Sequence, residues 1–129
     1  MIFRYIFSIS SVLFTLSVLV QVYLAGMAIF VHPANWARHT SFVHLFELLP
    51  LIMLLAGWLG KAPKRLLWQS AGLLVLIVLQ YLTANLQGPF PALAAAHPVI
   101  ALLITGLAAS VTGEAFSLTR QRFPAPSTG

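Results

Sequence analysis

The chain of 129 residues has no cysteine and only two acidic residues, Glu47 and Glu114. Without thiols there is no disulfide, no thiolate metal site and no thiol redox relay, which removes four-span thiol oxidoreductases and cysteine-based metal transporters. Two carboxylates far apart in sequence do not build a cage for a hard cation. Charged residues of both signs amount to 7%, against roughly a quarter in soluble domains. An ordinary soluble fold is excluded, and no stretch of chain is left for a nucleotide-binding module or a nucleic-acid surface.

What is present in quantity is apolar. Hydrophobic residues make up 60% of the chain and the mean hydropathy is +0.94. They fall into four blocks of about twenty, the length a helix needs to cross a hydrocarbon core of about 30 Å. The spans are expected from about Tyr5 to Val31, Ser41 to Leu59, Leu66 to Leu86 and Pro98 to Leu118. The first apolar run, about 25 residues long, exceeds the roughly 7–15 of a signal-peptide core and reads as a retained span. Pro50 inside the second span removes a backbone donor and predicts a kink there. The connections are short and carry turn residues: His32-Pro33-Ala34-Asn35, Gly60 to Arg65, and Gly88-Pro89-Phe90-Pro91. Short connections predict an all-α, up-down-up-down four-helix transmembrane bundle forming a single domain over residues 1–129. Phe123 to Gly129 reads as a frayed polar tail.

The net charge of +5 is a topology signal. Arg4, Lys61, Lys64, Arg65, Arg120 and Arg122 fall on one side and Arg38 alone on the other. By the positive-inside rule both termini and the middle loop are cytoplasmic, in a bacterial inner membrane, with Trp36, Trp58 and Trp68 at the interfaces. All four histidines, His32, His39, His44 and His97, then lie toward the outer side. Their plainest reading is wet interfacial side chains at His32 and His39, with His97 capping its helix.

An internal repeat raises a second reading. Val18-Leu19-Val20-Gln21-Val22-Tyr23-Leu24-Ala25 resembles Ile77-Val78-Leu79-Gln80-Tyr81-Leu82-Thr83-Ala84, and each glutamine is followed by a histidine, His39 after 18 residues and His97 after 17. The chain is thus two hairpin repeats related by an axis along the membrane normal. In a bundle of sequential order spans two and four are diagonal, so His39 and His97 face each other at matching depth and could ligate the iron of a haem from opposite sides. His44 lies about 7.5 Å deeper and about 140° around the helix, and replaces His39 if the iron sits deeper. Glu47, three residues after His44, is within its reach. Arg38 is the candidate partner of a haem propionate, Gln21 and Gln80 hydrogen-bond between helices, and Glu114 sits beside Arg120 and Arg122 at the inner end.

The Leu-Gln segment ahead of each outer loop and the histidine opening the second helix of each hairpin resemble one four-helix half of haem A synthase. The sequence is also similar to an uncharacterised family of small four-span bacterial membrane proteins, through Trp36-x-x-His39, Leu49-Pro50-Leu51 and the run Ala95 to Leu103. The synthase resemblance implies a haem site near the outer face. It does not carry over catalysis, because Thr40 follows His39 and Ala37-Arg38 precede it where the synthase has an arginine and a glutamate. The expected function is therefore a haem b-binding membrane protein, for electron transfer or haem handling. A non-catalytic subunit of a larger respiratory or photosynthetic complex is the alternative. Membrane lipid, other membrane subunits and a quinone or other redox molecule are the expected partners, and nucleic acid is not.

Overall fold

The computed structural model describes residues 1–120. Arg122 and the expected tail Phe123–Gly129 lie outside the described residues, as does the Arg120 side chain. Six helices follow in order: α1 (Ile2–Phe30), α2 (Asn35–Phe46), α3 (Leu49–Leu59), α4 (Lys64–Asn85), the single turn α5 (Pro91–Ala94) and α6 (Ala96–Arg120). No strand is found among the described residues. Four helical stretches are long and apolar enough to cross a membrane: Ile2–Phe30, Asn35–Leu59, Lys64–Asn85 and Pro91–Thr119. Large apolar side chains such as Leu19, Leu55, Val78 and Leu102 are exposed around the whole bundle, as helices facing lipid require. The chain is a multi-pass membrane protein.

Each helix buries one stripe. In α6 Ile100, Ile104, Ala108, Val111, Ala115 and Leu118 are buried at three- and four-residue intervals, and in α1 Phe7, Ser11, Phe14 and Val18, the spacing that keeps side chains on one helix face. α1 packs on α3 and α6, and α4 packs on α3 and α6. The spans are therefore arranged around the bundle in chain order, with spans two and four on a diagonal, as expected.

The packing is uneven along the bundle axis. The fully buried large side chains, Phe7, Phe14, Met53, Leu66, Leu73 and Val111, all come from the half that holds the α3–α4 turn, called here the basic end. At the opposite, histidine end α2 packs extensively on α1 alone. The basic end is also where polar bonds tie the two hairpins together. Ser8 Oγ donates to the Arg4 and Ala115 carbonyls at 3.0 and 3.2 Å, Thr112 Oγ1 donates to the Ser11 carbonyl at 3.0 Å, and the Thr15 and Thr112 hydroxyls are 2.9 Å apart. Small polar residues let α1 and α6 approach closely without leaving a hydroxyl unpaired in hydrocarbon. Arg4 Nε donates to the Gly60 carbonyl at 3.0 Å, occupying a free carbonyl at the end of α3.

Span two is broken, not merely kinked. α2 ends at Phe46, Glu47 and Leu48 form a turn, and α3 restarts at Leu49 with Pro50 in its first turn, where the missing N–H would have no partner in any case. The span also begins at Asn35, before the expected Ser41. Asn35 is buried and its side-chain amide donates to the Met27 and His32 carbonyls at 3.3 and 3.1 Å, so the chain turns back within a few residues of α1.

At Gly57 an added Cβ would stand 2.9 Å from Leu67 Cδ2 and 3.1 Å from Phe7 Cδ2, whereas at Gly26 it meets nothing within 4 Å. Gly57→Val is expected to lower the unfolding free energy by about 1–3 kcal/mol, measured by reversible unfolding in mixed micelles, and Gly26→Val to leave it unchanged.

Candidate functional site

The two glutamine–histidine pairs that the repeat predicts come together in the same way. Gln21 Nε2 on α1 donates to the His39 carbonyl on α2 at 2.8 Å, and His39 Nδ1 donates to the Gln21 carbonyl at 3.0 Å. On the second hairpin His97 Nδ1 lies 3.2 Å from the Gln80 carbonyl. The Gln80 amide satisfies its neighbours with nitrogen toward His97, where it donates to His97 Nδ1 at 2.9 Å and to the His97 carbonyl at 3.0 Å, and its oxygen accepts from the Ala101 N–H at 3.2 Å. The orientation of such an amide is assigned from its partners, and here it reproduces the first pair.

A backbone carbonyl can only accept, so at His39 the hydrogen sits on Nδ1 and the Nε2 lone pair is free. At His97 the Nδ1 atom has the Gln80 carbonyl, an acceptor, at 3.2 Å and the Gln80 amide nitrogen, a donor, at 2.9 Å, so which ring nitrogen carries the hydrogen follows from which of the two it pairs with. Thr83 Oγ1 donates to the Leu79 and Gln80 carbonyls at 2.9 and 3.1 Å and lies 3.1 Å from His97 Nδ1. Both rings are half-buried. Trp36 packs edge-on against His39, ring centroids 5.5 Å apart. Histidines held by Nδ1–H on a carbonyl are oriented as ligands, with the tautomer fixed for coordination through Nε2.

Neither histidine opens its helix as the sequence suggested. His39 is in the second turn of α2 and His97 follows the first residue of α6, because both helices start earlier than the apolar runs do. Buried Gln21 Oε1 has no hydrogen-bond partner, unlike its counterpart on Gln80, and the same is true of Gln69 Oε1 on α4.

The other predicted residues lie apart from this pair. Arg38 is exposed and gives one N–H to Asn35 Oδ1 at 3.2 Å. His32 is exposed in the loop and accepts from the Ala34 N–H at 3.1 Å. His44, expected as the deeper alternative ligand, has a side chain 62% exposed, and its Nδ1 lies 3.3 Å from Glu47 Oε1. Tyr81 of α4 joins them, donating its hydroxyl to Glu47 Oε2 and stacking its ring on His44. Sequence reading missed Tyr81, although it stands next to Gln80 at a position where the repeat has Val22. Glu114 pairs with Arg65 at 3.0 Å, a partner from α4. Its expected neighbours, the Arg120 side chain and Arg122, lie outside the described residues. Among the described residues no three histidine, cysteine or acidic side chains converge as a metal site. A centre with two imidazole ligands needs only His39 and His97.

If the glutamines tie each hairpin, Gln21→Leu and Gln80→Leu should each lower the unfolding free energy by roughly 0.6–1.7 kcal/mol, the range of intramembrane hydrogen bonds. Gln69→Leu removes an unpartnered buried oxygen and is expected to be neutral or stabilising. Reversible unfolding in mixed micelles checks all three.

No curated protein and no solved structure matches the chain. A family model matches over residues 21–86, that of a family of unknown function (DUF6220). The matched segment runs from Gln21 to just beyond α4. It holds Trp36, His39, the Leu49-Pro50-Leu51 run and Gln80, and ends before the Ala95–Leu103 run that contains His97. None of these comparisons links the chain to haem A synthase. The match covers just over half of the chain, which therefore belongs to this family of unknown function, DUF6220.

Proposed function

We propose that this protein is an integral membrane haem-binding protein, b-type, with His39 and His97 as axial ligands through Nε2. One observation carries this reading. Two histidines on diagonal spans, related by the internal repeat, each have Nδ1 within hydrogen-bond distance of the carbonyl of a repeat-related glutamine, and among the described residues neither Nε2 is bonded to protein. Bound haem supplies a one-electron iron couple. The chain's own residues hold and orient the ligands. Gln21 and Gln80 fix each imidazole to the neighbouring helix, Thr83 braces the His97 ring, and Trp36 limits rotation of His39. The sparse packing between α2 and the second hairpin supports a group held at this end, since the large side chains that are fully buried sit at the other. Arg38, with one N–H on Asn35 and the rest of its fork exposed, is placed to meet a propionate.

With both axial positions taken by protein, oxygen activation is disfavoured and the function is electron transfer or haem handling. The cation distribution orients the basic end and both termini to the cytoplasm of a bacterium and the histidine end to the outer side of its inner membrane. The test is the reduced-minus-oxidised absorption spectrum of protein expressed alone with haem supplied. Soret and α bands are expected in the wild type and in His44→Ala, and their loss in His39→Ala and in His97→Ala. A colourless, monodisperse wild-type preparation would overturn the reading.

A further inference from the structure

The polar groups which the haem reading leaves unused gather elsewhere, at the break in span two. Shifted by the interval between His39 and His97, His44 falls on Leu102 and Glu47 on Thr105, so the second hairpin has no copy of them. Glu47 occupies the turn between α2 and α3 and is half-buried. It takes the Tyr81 hydroxyl on Oε2 and faces His44 Nδ1 with Oε1 at 3.3 Å. The His44 and Tyr81 rings lie nearly parallel, 27° apart with centroids at 6.2 Å. Tyr81 comes from the other hairpin, so two titratable groups, one from each hairpin, share one carboxylate.

The outward side of this cluster meets lipid. His44 is exposed beside Thr40 and Ser41, also exposed, on a face of α2 that no other helix covers extensively. Facing a carboxylate, His44 Nδ1 carries the hydrogen and leaves Nε2 as an acceptor, and no donor of the protein is bonded to it among the described residues. A polar group unpartnered at membrane depth is costly and marks a functional position. Acyl chains have no hydrogen to offer it, phospholipid esters and phosphates are acceptors themselves, and the ammonium and hydroxyl donors of headgroups stay at the interface, whereas His44 lies more than two turns into α2. The complement of Nε2 here is a membrane-dissolved molecule that donates an O–H. A flat ring suits the stacked imidazole–phenol pair, and a phenolic O–H is more acidic, hence a stronger donor, than that of an aliphatic alcohol.

We propose that His44, Glu47 and Tyr81 form a binding site for the hydroxylated ring of a lipid-soluble hydroquinone, whose O–H is donated to His44 Nε2. Glu47 behind Nδ1 makes Nε2 more basic, as a carboxylate does for an imidazole ligand. Tyr81 holds Glu47 in place from α4, so the site exists only when the two hairpins are docked. Binding needs no haem, and the inference stands apart from the ligation by His39 and His97.

The experiment uses haem-free protein with 15N-labelled histidine in phosphatidylcholine nanodiscs, titrated anaerobically with decylubiquinol. One histidine resonance, that missing in His44→Ala, is expected to shift and to saturate near one probe per chain. Tyr81→Phe and Glu47→Gln should weaken binding roughly tenfold, the loss of one hydrogen bond to a charged group, whereas His32→Ala, in the exposed loop, leaves it unchanged. The proposal is overturned by a wild type that shows no saturable shift, by a shift at His39 or His97 instead, or by dodecanol producing the same response. Because the preparation holds no haem, such a failure is distinct from a failure of the spectral test.

Discussion

A polar group inside hydrocarbon must find its partner within the protein, since no water is there to serve it and leaving it alone costs several kcal/mol. In this chain that constraint decides where the helices touch. The hydroxyls of Thr15 and Thr112 find their partners only by bringing α1 against α6, and the amides of Gln21 and Gln80 only by bringing each first helix of a hairpin against its second. Apolar side chains do not choose between a helix neighbour and lipid on transfer energy, so packing and these bonds set the arrangement. The result is two hairpins joined at the basic end by a serine–threonine seam, each closed at the other end by its own glutamine–histidine pair.

Much of this was readable beforehand for one physical reason. Span length, cation placement and the repeat are local or periodic properties, and membrane insertion acts on them directly. The 18- and 17-residue intervals from Gln21 to His39 and from Gln80 to His97 are of the same kind, because a short outer loop fixes which residues of a hairpin stand opposite each other. Features that depend on contacts far apart in sequence, with no periodic signal behind them, were not readable. Glu114 finds Arg65, which no local spacing indicates. Tyr81 reaches Glu47 across 34 residues, and neither residue has a repeat counterpart of its own type to draw attention to it. Pro50 signalled a disturbance in span two. The turn at Glu47 and Leu48 lies where Pro50 has no N–H for the Phe46 carbonyl.

The repeat and its violations divide the work. What the two hairpins share, the glutamine, the histidine and their reciprocal bonds, produces a pair of equivalent imidazoles, and a symmetric pair suits a ligand bound from both sides. What they do not share, His44, Glu47 and Tyr81, produces one site that opens to lipid on one side only. Gln21 shows how the pair itself departs from symmetry. Gln80 Oε1 accepts from the Ala101 N–H of α6, whereas Gln21 Oε1 is left buried and unpaired.

That unpaired oxygen belongs to the glutamine that ties α1 to α2, the helix least supported by the rest of the fold. α2 packs extensively on α1 alone, is cut from α3 at Glu47, and carries none of the large side chains that are fully buried. Its polar ties to other helices include the Gln21–His39 pair toward α1 and the Glu47–Tyr81 bond toward α4. Segments with few buried contacts occupy the low end of local stability, and here those ties coincide with the two sites. The position of α2 is therefore set by the same residues that would hold a ligand. Anything that occupies His39 or His44 acts on the placement of the helix as directly as on the side chain itself.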